Sequence, residues 1–220
     1  MKTTGVAVVV MAFLAFAGPG LAGPITTDVW DVNQGTTVTG SSPTHENGSD
    51  ARNIFGGNYS GVDSPTVTVF ADFAAGQYGQ DAGILFVGTI HWVEWNTAAP
   101  TWLGSFNVYA SADVGTNARS FNHLTLKYKV NPSDSWTEFY TGDLTVPYPV
   151  LDPASNLVIS ENLASPIQGQ YFRAEFTQAT AIMWASGPRI TELDGFAPEP
   201  ATMALLGLGG LGLLLSRKRR

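Results

Sequence analysis

The chain has 220 residues and no cysteine, and its 18 acidic residues outnumber its 11 basic ones for a formal net charge of −7. Without cysteine there can be no disulfide framework, thiolate metal site or cysteine nucleophile. Five of the basic residues (Lys2, Arg217, Lys218, Arg219 and Arg220) lie outside the stretch from Asp28 to Glu199, which carries the other six basic and all eighteen acidic residues, net −12. Such a surface repels phosphate backbones and excludes a nucleic-acid-binding role.

In chain order, Lys2 precedes an apolar run from Val6 to Ala17, which Gly18-Pro19-Gly20 breaks. Gly20-Leu21-Ala22 then offers small residues at both cleavage subsites. Charge, apolar run and small-residue site in that order predict a signal peptide over residues 1–22, cut by signal peptidase between Ala22 and Gly23. The run is too short for a membrane anchor. Residues 23–197 are then the exported domain, and 198–220 a separate C-terminal tail.

The domain opens with a Gly-rich stretch in which Asn47, Asp50, Asn53, Asn58 and Asp63 supply hard oxygens of the kind calcium takes. Their spacing fits no EF-hand, and a solvated turn region is the competing reading.

From Thr26 to Phe196 no run of apolar residues has helical spacing. Short β-rich segments follow one another instead, parted by Gly, Pro, Asn, Asp and Ser. They are Thr36–Thr39, Thr66–Phe73, Ile84–Trp95, Ser105–Ala110, Leu124–Val130, Trp136–Tyr140, Leu157–Ser160, Tyr171–Thr177 and Ile190–Leu193. Leu124, Leu126, Tyr128 and Val130 alternate with Thr125, Lys127 and Lys129, and Phe172, Ala174 and Phe176 alternate with Arg173, Glu175 and Thr177, which predicts strands with one wet face. Val146–Asn156 reads as a long connection. The pattern predicts an all-β fold, a single β-sandwich or jelly roll.

Catalytic motifs are sparse. His45, His91 and His123 form no helical i, i+4 pair and no H-E-x-x-H, and no G-x-S-x-G elbow is present. Glu94 stands beside Trp95, whose ring would shield a carboxyl from water as glycoside hydrolysis requires, but no partner carboxylate can be named. Six tryptophans are many for this length. Trp92, Trp95 and Trp102 cluster around the predicted loop Asn96–Thr101. Aromatic faces stack on sugar rings, so Trp102 and Trp95 are the candidate glycan-binding residues, while Trp92 and Trp136 are assigned to the core.

The tail reads Pro198-Glu199-Pro200, then Ala201–Leu215 without a charge, then Ser216-Arg217-Lys218-Arg219-Arg220. Fifteen residues predict a transmembrane helix over 201–215, roughly 22 Å long and therefore short for a bilayer. The four terminal cations would hold its end in the cytoplasm and leave the domain outside. Gly207, Gly209 and Gly212 satisfy G-x-G-x-x-G, but the chain ends within eight residues and no nucleotide fold can follow.

This order of motif, Gly/Leu-rich run and basic end resembles the PEP-CTERM sorting signal. The resemblance implies an exosortase as partner, removal of the tail, and a Gram-negative-type bacterium that makes exopolysaccharide or biofilm. Ala51–Asn58, Leu126–Trp136, Gln170–Arg173 and Arg189–Phe196 are similar to pieces of discoidin-like domains, which implies a galactose-binding-like jelly roll. For calcium, the resemblance adds Glu192 on the closing strand to Asn53, Asn58 and Asp63. Gly56 departs from that family's pattern, which has an aspartate there.

Together these features predict an exported envelope protein with a non-catalytic glycan-binding or matrix role. A structural surface protein without a ligand and a glycan-active hydrolase are the alternatives.

Overall fold

The computed structural model describes residues 27–44, 50–56, 68–69, 87–112, 119–146, 156–179 and 187–198. The predicted terminal helices, the signal cleavage site, His45, Asn58, Asp63, Glu199, Pro200 and most of the Val146–Asn156 connection lie outside them. Among the described residues no helix is long and apolar enough to cross a membrane.

The described elements are seven strands: β1 (Thr37–Ser41), β2 (Thr68–Val69), β3 (Ile90–Ser111), β4 (Phe121–Lys129), β5 (Thr137–Asp143), β6 (Asn156–Gln178) and β7 (Arg189–Phe196). Two 3-10 turns, Val32–Gln34 and Ala51–Phe55, complete them. The strands pair antiparallel in the order β2-β7-β3-β6-β4-β5, with β1 also on β3. The predicted all-β fold is therefore correct, and each described strand overlaps a predicted segment.

Two of the strands are far longer than predicted. Ile90–Trp95, the end of the predicted segment Ile84–Trp95, and Ser105–Ala110 belong to the single strand β3, and Leu157–Ser160 and Tyr171–Thr177 to the single strand β6. The expected loop Asn96–Thr101 is instead a ladder irregularity within β3, where register against β6 jumps from Asn96↔Tyr171 to Thr101↔Gly169. Pro100 sits in that jump. Pro166 sits in the next one, between Leu103↔Ile167 and Ser105↔Asn162. A proline lacks the N–H a regular ladder needs, so it is accommodated where pairing is interrupted.

The two halves of β3 take different neighbours. The first pairs with β1 from Val93 to Asn96, and the second with β7 from Ser105 to Ser111. Aromatic contacts then close the sheet on itself: Phe106, in the second half, lies 4.9 Å from Tyr140 and 6.1 Å from Phe139 of β5. The result is a β-sandwich around one core, in which Trp30, Trp95, Phe55 and Phe172 form one aromatic cluster and Phe121 and Phe176 a second.

The chain enters and leaves this core at one place. Asp28 bridges Phe196, Val29 N donates to Gly195 O at 2.7 Å, and Gly195 N donates to Asp28 Oδ1 at 2.8 Å.

Candidate functional site

Strand alternation decides which tryptophan can meet a ligand. On β3, His91, Val93, Trp95 and Thr97 face inward, and Trp92, Glu94 and Asn96 face outward. Trp95 is 1% exposed and packs against Trp30, Phe55 and Phe172. Its assignment to a glycan site is therefore corrected: a ring sealed in the core has no face for a sugar. Trp92, assigned to the core, is the outward ring. Gly40 of β1 lies beside it, where an added Cβ would meet the indole at 3.2 Å, and the Arg173 guanidinium lies over its ring at 4.6 Å. Trp136 is also outside the core, with Lys129 Nζ 4.7 Å from its ring centre.

This outer face is a connected polar lattice. Arg173 donates to Glu94 at 2.6 Å and to Glu175 at 2.7 Å, and Lys127 donates to Glu175 at 2.8 Å. Glu94 is thus an ion-pair partner, and Trp95 cannot shield it because the two side chains point to opposite faces. Trp92 and Trp136 each have one face covered by a cation.

Trp102 differs. It stands just past the Asn96–Thr101 irregularity of β3, opposite Gln168, and is 41% exposed. It is the one tryptophan among the described residues classed as exposed. Exposed Gln168, its partner across the ladder, supplies an amide on the same face.

A separate open cleft of about 410 Å³ is lined by residues including Tyr140, Asp143, Ser160 and Glu161. Asp143 accepts from, or pairs with, His123 Nδ1 at 2.6 Å, and His123 Nε2 lies 3.2 Å from Thr141 Oγ1 and 3.3 Å from Thr125 Oγ1. The order acid, imidazole, hydroxyl resembles a catalytic triad on paper. Asp143 is 88% exposed, however, and lies on a strand face rather than behind the histidine. A triad's acid is buried so that it fixes the ring's tautomer and orientation. Glycoside hydrolysis likewise needs a carboxyl shielded from water, and both Asp143 and Glu161 are exposed.

The residues named for calcium were tested against the donors present. Asn53 is buried in the Ala51–Phe55 turn. Glu192 lies on β7 and shares a hydrogen bond with Asp194. Burial, then the neighbouring Glu192 and Asp28 charges, raises Asp194 to about 7, and the hydrogen bond it shares with Glu192 acts in the same direction. Asp28 is raised to about 6 by burial, against the opposing hydrogen bonds from Gly195 and Trp30 amides. Among the described residues no three acidic or histidine side chains group so as to hold a metal. Of the four residues named for calcium, Asn58 and Asp63 lie outside the described residues, and Glu192 is a hydrogen-bond partner of Asp194. The glycine at 56 also has a local cause. Its φ is +72°, and a Cβ there would meet Asp31 Oδ2 at 2.8 Å, so a side chain at 56 would have to displace the Asp31 carboxylate. Spacing alone cannot bring Asp28 and Asp31 near Glu192 and Asp194, because these carboxylates approach one another only where β7 returns to the start of the domain.

The fold is similar to that of solved family 32 carbohydrate-binding modules. The module from Clostridium perfringens NanJ, solved with galactose, has a TM-score of 0.51 at 14% identity over 77% of this chain and 98% of its own. The third such module of a C. perfringens family 31 glycoside hydrolase gives 0.51 at 14% identity over 76% and 94%. That of Streptococcus pneumoniae EndoD gives 0.50 at 14% over 78% and 100%. At this identity the likeness shows the fold. Residues 197–220 match the PEP-CTERM protein-sorting motif, which implies export and membrane-anchored sorting by an exosortase in bacteria. No curated protein matches the chain.

Proposed function

We propose that residues 23–197 form a non-catalytic glycan-binding module of an exported envelope protein. Signal peptidase releases it at Ala22–Gly23, an exosortase sorts it through Pro198-Glu199-Pro200, and matrix exopolysaccharide of a Gram-negative-type bacterium is its ligand. The observation that carries the reading is Trp102: an exposed indole opposite the amide of Gln168, on a fold similar to that of carbohydrate-binding modules. An aromatic ring offers a sugar's C–H face an apolar platform, and neighbouring polar groups fix its hydroxyls. The exposure of Asp143 and Glu161 supports binding over hydrolysis.

The test is binding of the mature protein to exopolysaccharide from its own host, beside a glycan array. Trp102→Ala is expected to weaken binding about tenfold, for a stacking contribution of about 1.5 kcal/mol. Trp136→Ala, on the cation-capped face, is expected to leave binding unchanged. Equal affinity of Trp102→Ala and parent, or sugar release during incubation, overturns the reading.

A further inference from the structure

Pro198 is the first residue of the Pro-Glu-Pro triplet and also the last residue of the folded domain. Phe196 pairs with Ser105 on β3, and Pro198, two residues on, is buried. It lies against Gly104: a Cβ built there would come within 2.7 Å of Pro198 Cα and 2.9 Å of Pro198 N. Those are backbone atoms, which cannot swing aside as a side-chain tip can. The absence of a side chain at 104 is therefore what admits Pro198. Gly104 also falls where β3 shifts register against β6, between Leu103↔Ile167 and Ser105↔Asn162.

The approach to this seat is held firmly. Gly195 lies on the Trp30 ring, so close that a Cβ would meet Trp30 Cδ2 at 2.5 Å. Its amide and carbonyl are both engaged, with Asp28 Oδ1 and Val29 N.

A processing enzyme reads a linear motif as an extended segment seated in its own cleft. A residue whose backbone is packed on β3 cannot occupy that cleft at the same time. We infer that the folded domain masks the N-terminal end of its own sorting motif by seating Pro198 on Gly104, so that removal of the tail waits on release of the end of β7. The inference rests on reading residues 197–220 as a sorting signal. Binding only to a released state lowers the enzyme's apparent affinity by the released fraction, and strand ends open locally without global unfolding.

The cysteine-free chain allows a direct measurement. A single thiol is placed by Pro198→Cys in the protein with its tail intact, in detergent, and its alkylation rate is compared with that of Ser135→Cys on the exposed β4–β5 turn. The seated thiol is expected to react at least about tenfold more slowly. Adding Gly104→Val is expected to bring it close to the control, with the far-ultraviolet spectrum confirming that the fold persists. In the native host, a Gly-Ser insertion between Ala197 and Pro198 frees the motif without altering the domain, and pulse-chase labelling should show faster tail loss than in the parent. Equal alkylation at the two positions overturns the seating. Protection at Pro198→Cys with unchanged or slower tail loss in the insertion variant overturns the masking. A parent chain that keeps its tail overturns the sorting reading itself, whatever the thiol shows.

Discussion

Trp92 and Trp95 are three residues apart and so must point to opposite faces of β3. The segment Ile90–Trp95 is apolar on both parities, with Ile90 and Trp92 on one and Val93 and Trp95 on the other, so alternation alone does not say which ring is inside. The neighbouring strands decide it. The absence of a side chain at Gly40 leaves room for the edge of the Trp92 ring and Arg173 lies over it, while Trp30, Phe55 and Phe172 surround Trp95. Trp95→Ala is accordingly expected to cost about 3–5 kcal/mol by the cavity it leaves. Trp95→Phe should cost less, since it keeps a ring and removes a buried indole N–H that has no acceptor. Trp102→Ala should stay within about 0.5 kcal/mol of the parent. Urea unfolding of the three variants checks the order, and a stable Trp95→Ala would contradict the placement of that ring.

The wet-faced strands were legible because each shows one clean parity. Phe172, Ala174 and Phe176 are buried and Arg173 and Glu175 are not, as the spacing predicts. Leu124 and Leu126 are buried as well, although Thr125 between them, expected on the wet face, is only 8% exposed, and Val130 falls past the end of β4 and is 37% exposed. The continuity of β3 and β6 was not legible. Pro100 and Pro166 read locally as strand breakers, and only the paired strand shows that each falls at a register shift. The seats of Gly104 and Gly195 were equally hidden, since a glycine's neighbours across a sheet are set by register. At this scale β7 is the element most sensitive to a single atom: Gly195→Ala drives a methyl into the Trp30 ring. A loss of about 1–3 kcal/mol is expected, together with faster amide exchange along β7 than along β4. Exchange confined to β4 would show that the clash is relieved elsewhere.

For the molecule as a whole, the acidic excess has a sign that stability measurements can read. Asp28 and Asp194 have folded-state pKa values of about 6 and about 7, above their ordinary 3.8. Each favours folding fully only below the unfolded value, and that contribution disappears as pH rises through the folded value. Glu175 behaves oppositely: burial pushes it up, but Lys127 and Arg173 outweigh that and hold it below its ordinary value, and Arg52 does the same for Asp50. Their contribution is lost only as pH falls below the usual carboxylate range. The melting temperature should therefore rise as pH is lowered from about 8 to about 5, then fall below about 4. Asp194→Asn should flatten the upper limb, because an amide carries no proton to lose. A melting temperature that falls steadily from pH 8 to 5 would contradict the burial of Asp28 and Asp194.

The closeness of Trp102 to Gly104 has a mechanical consequence. Two residues along a strand span about 7 Å, so on the proposed reading a sugar stacked on Trp102 is held within about that distance of the residue against which Pro198 is seated. While the tail anchors the protein, tension between a captured polysaccharide and the membrane would pass through a short piece of β3 and its ladder to the end of β7. The aromatic core, the charged lattice around Arg173 and the β4–β5 hairpin would lie off that line of force. The domain would then behave under load as a short clasp, yielding at Pro198 and Phe196 while the sandwich behind them stays folded.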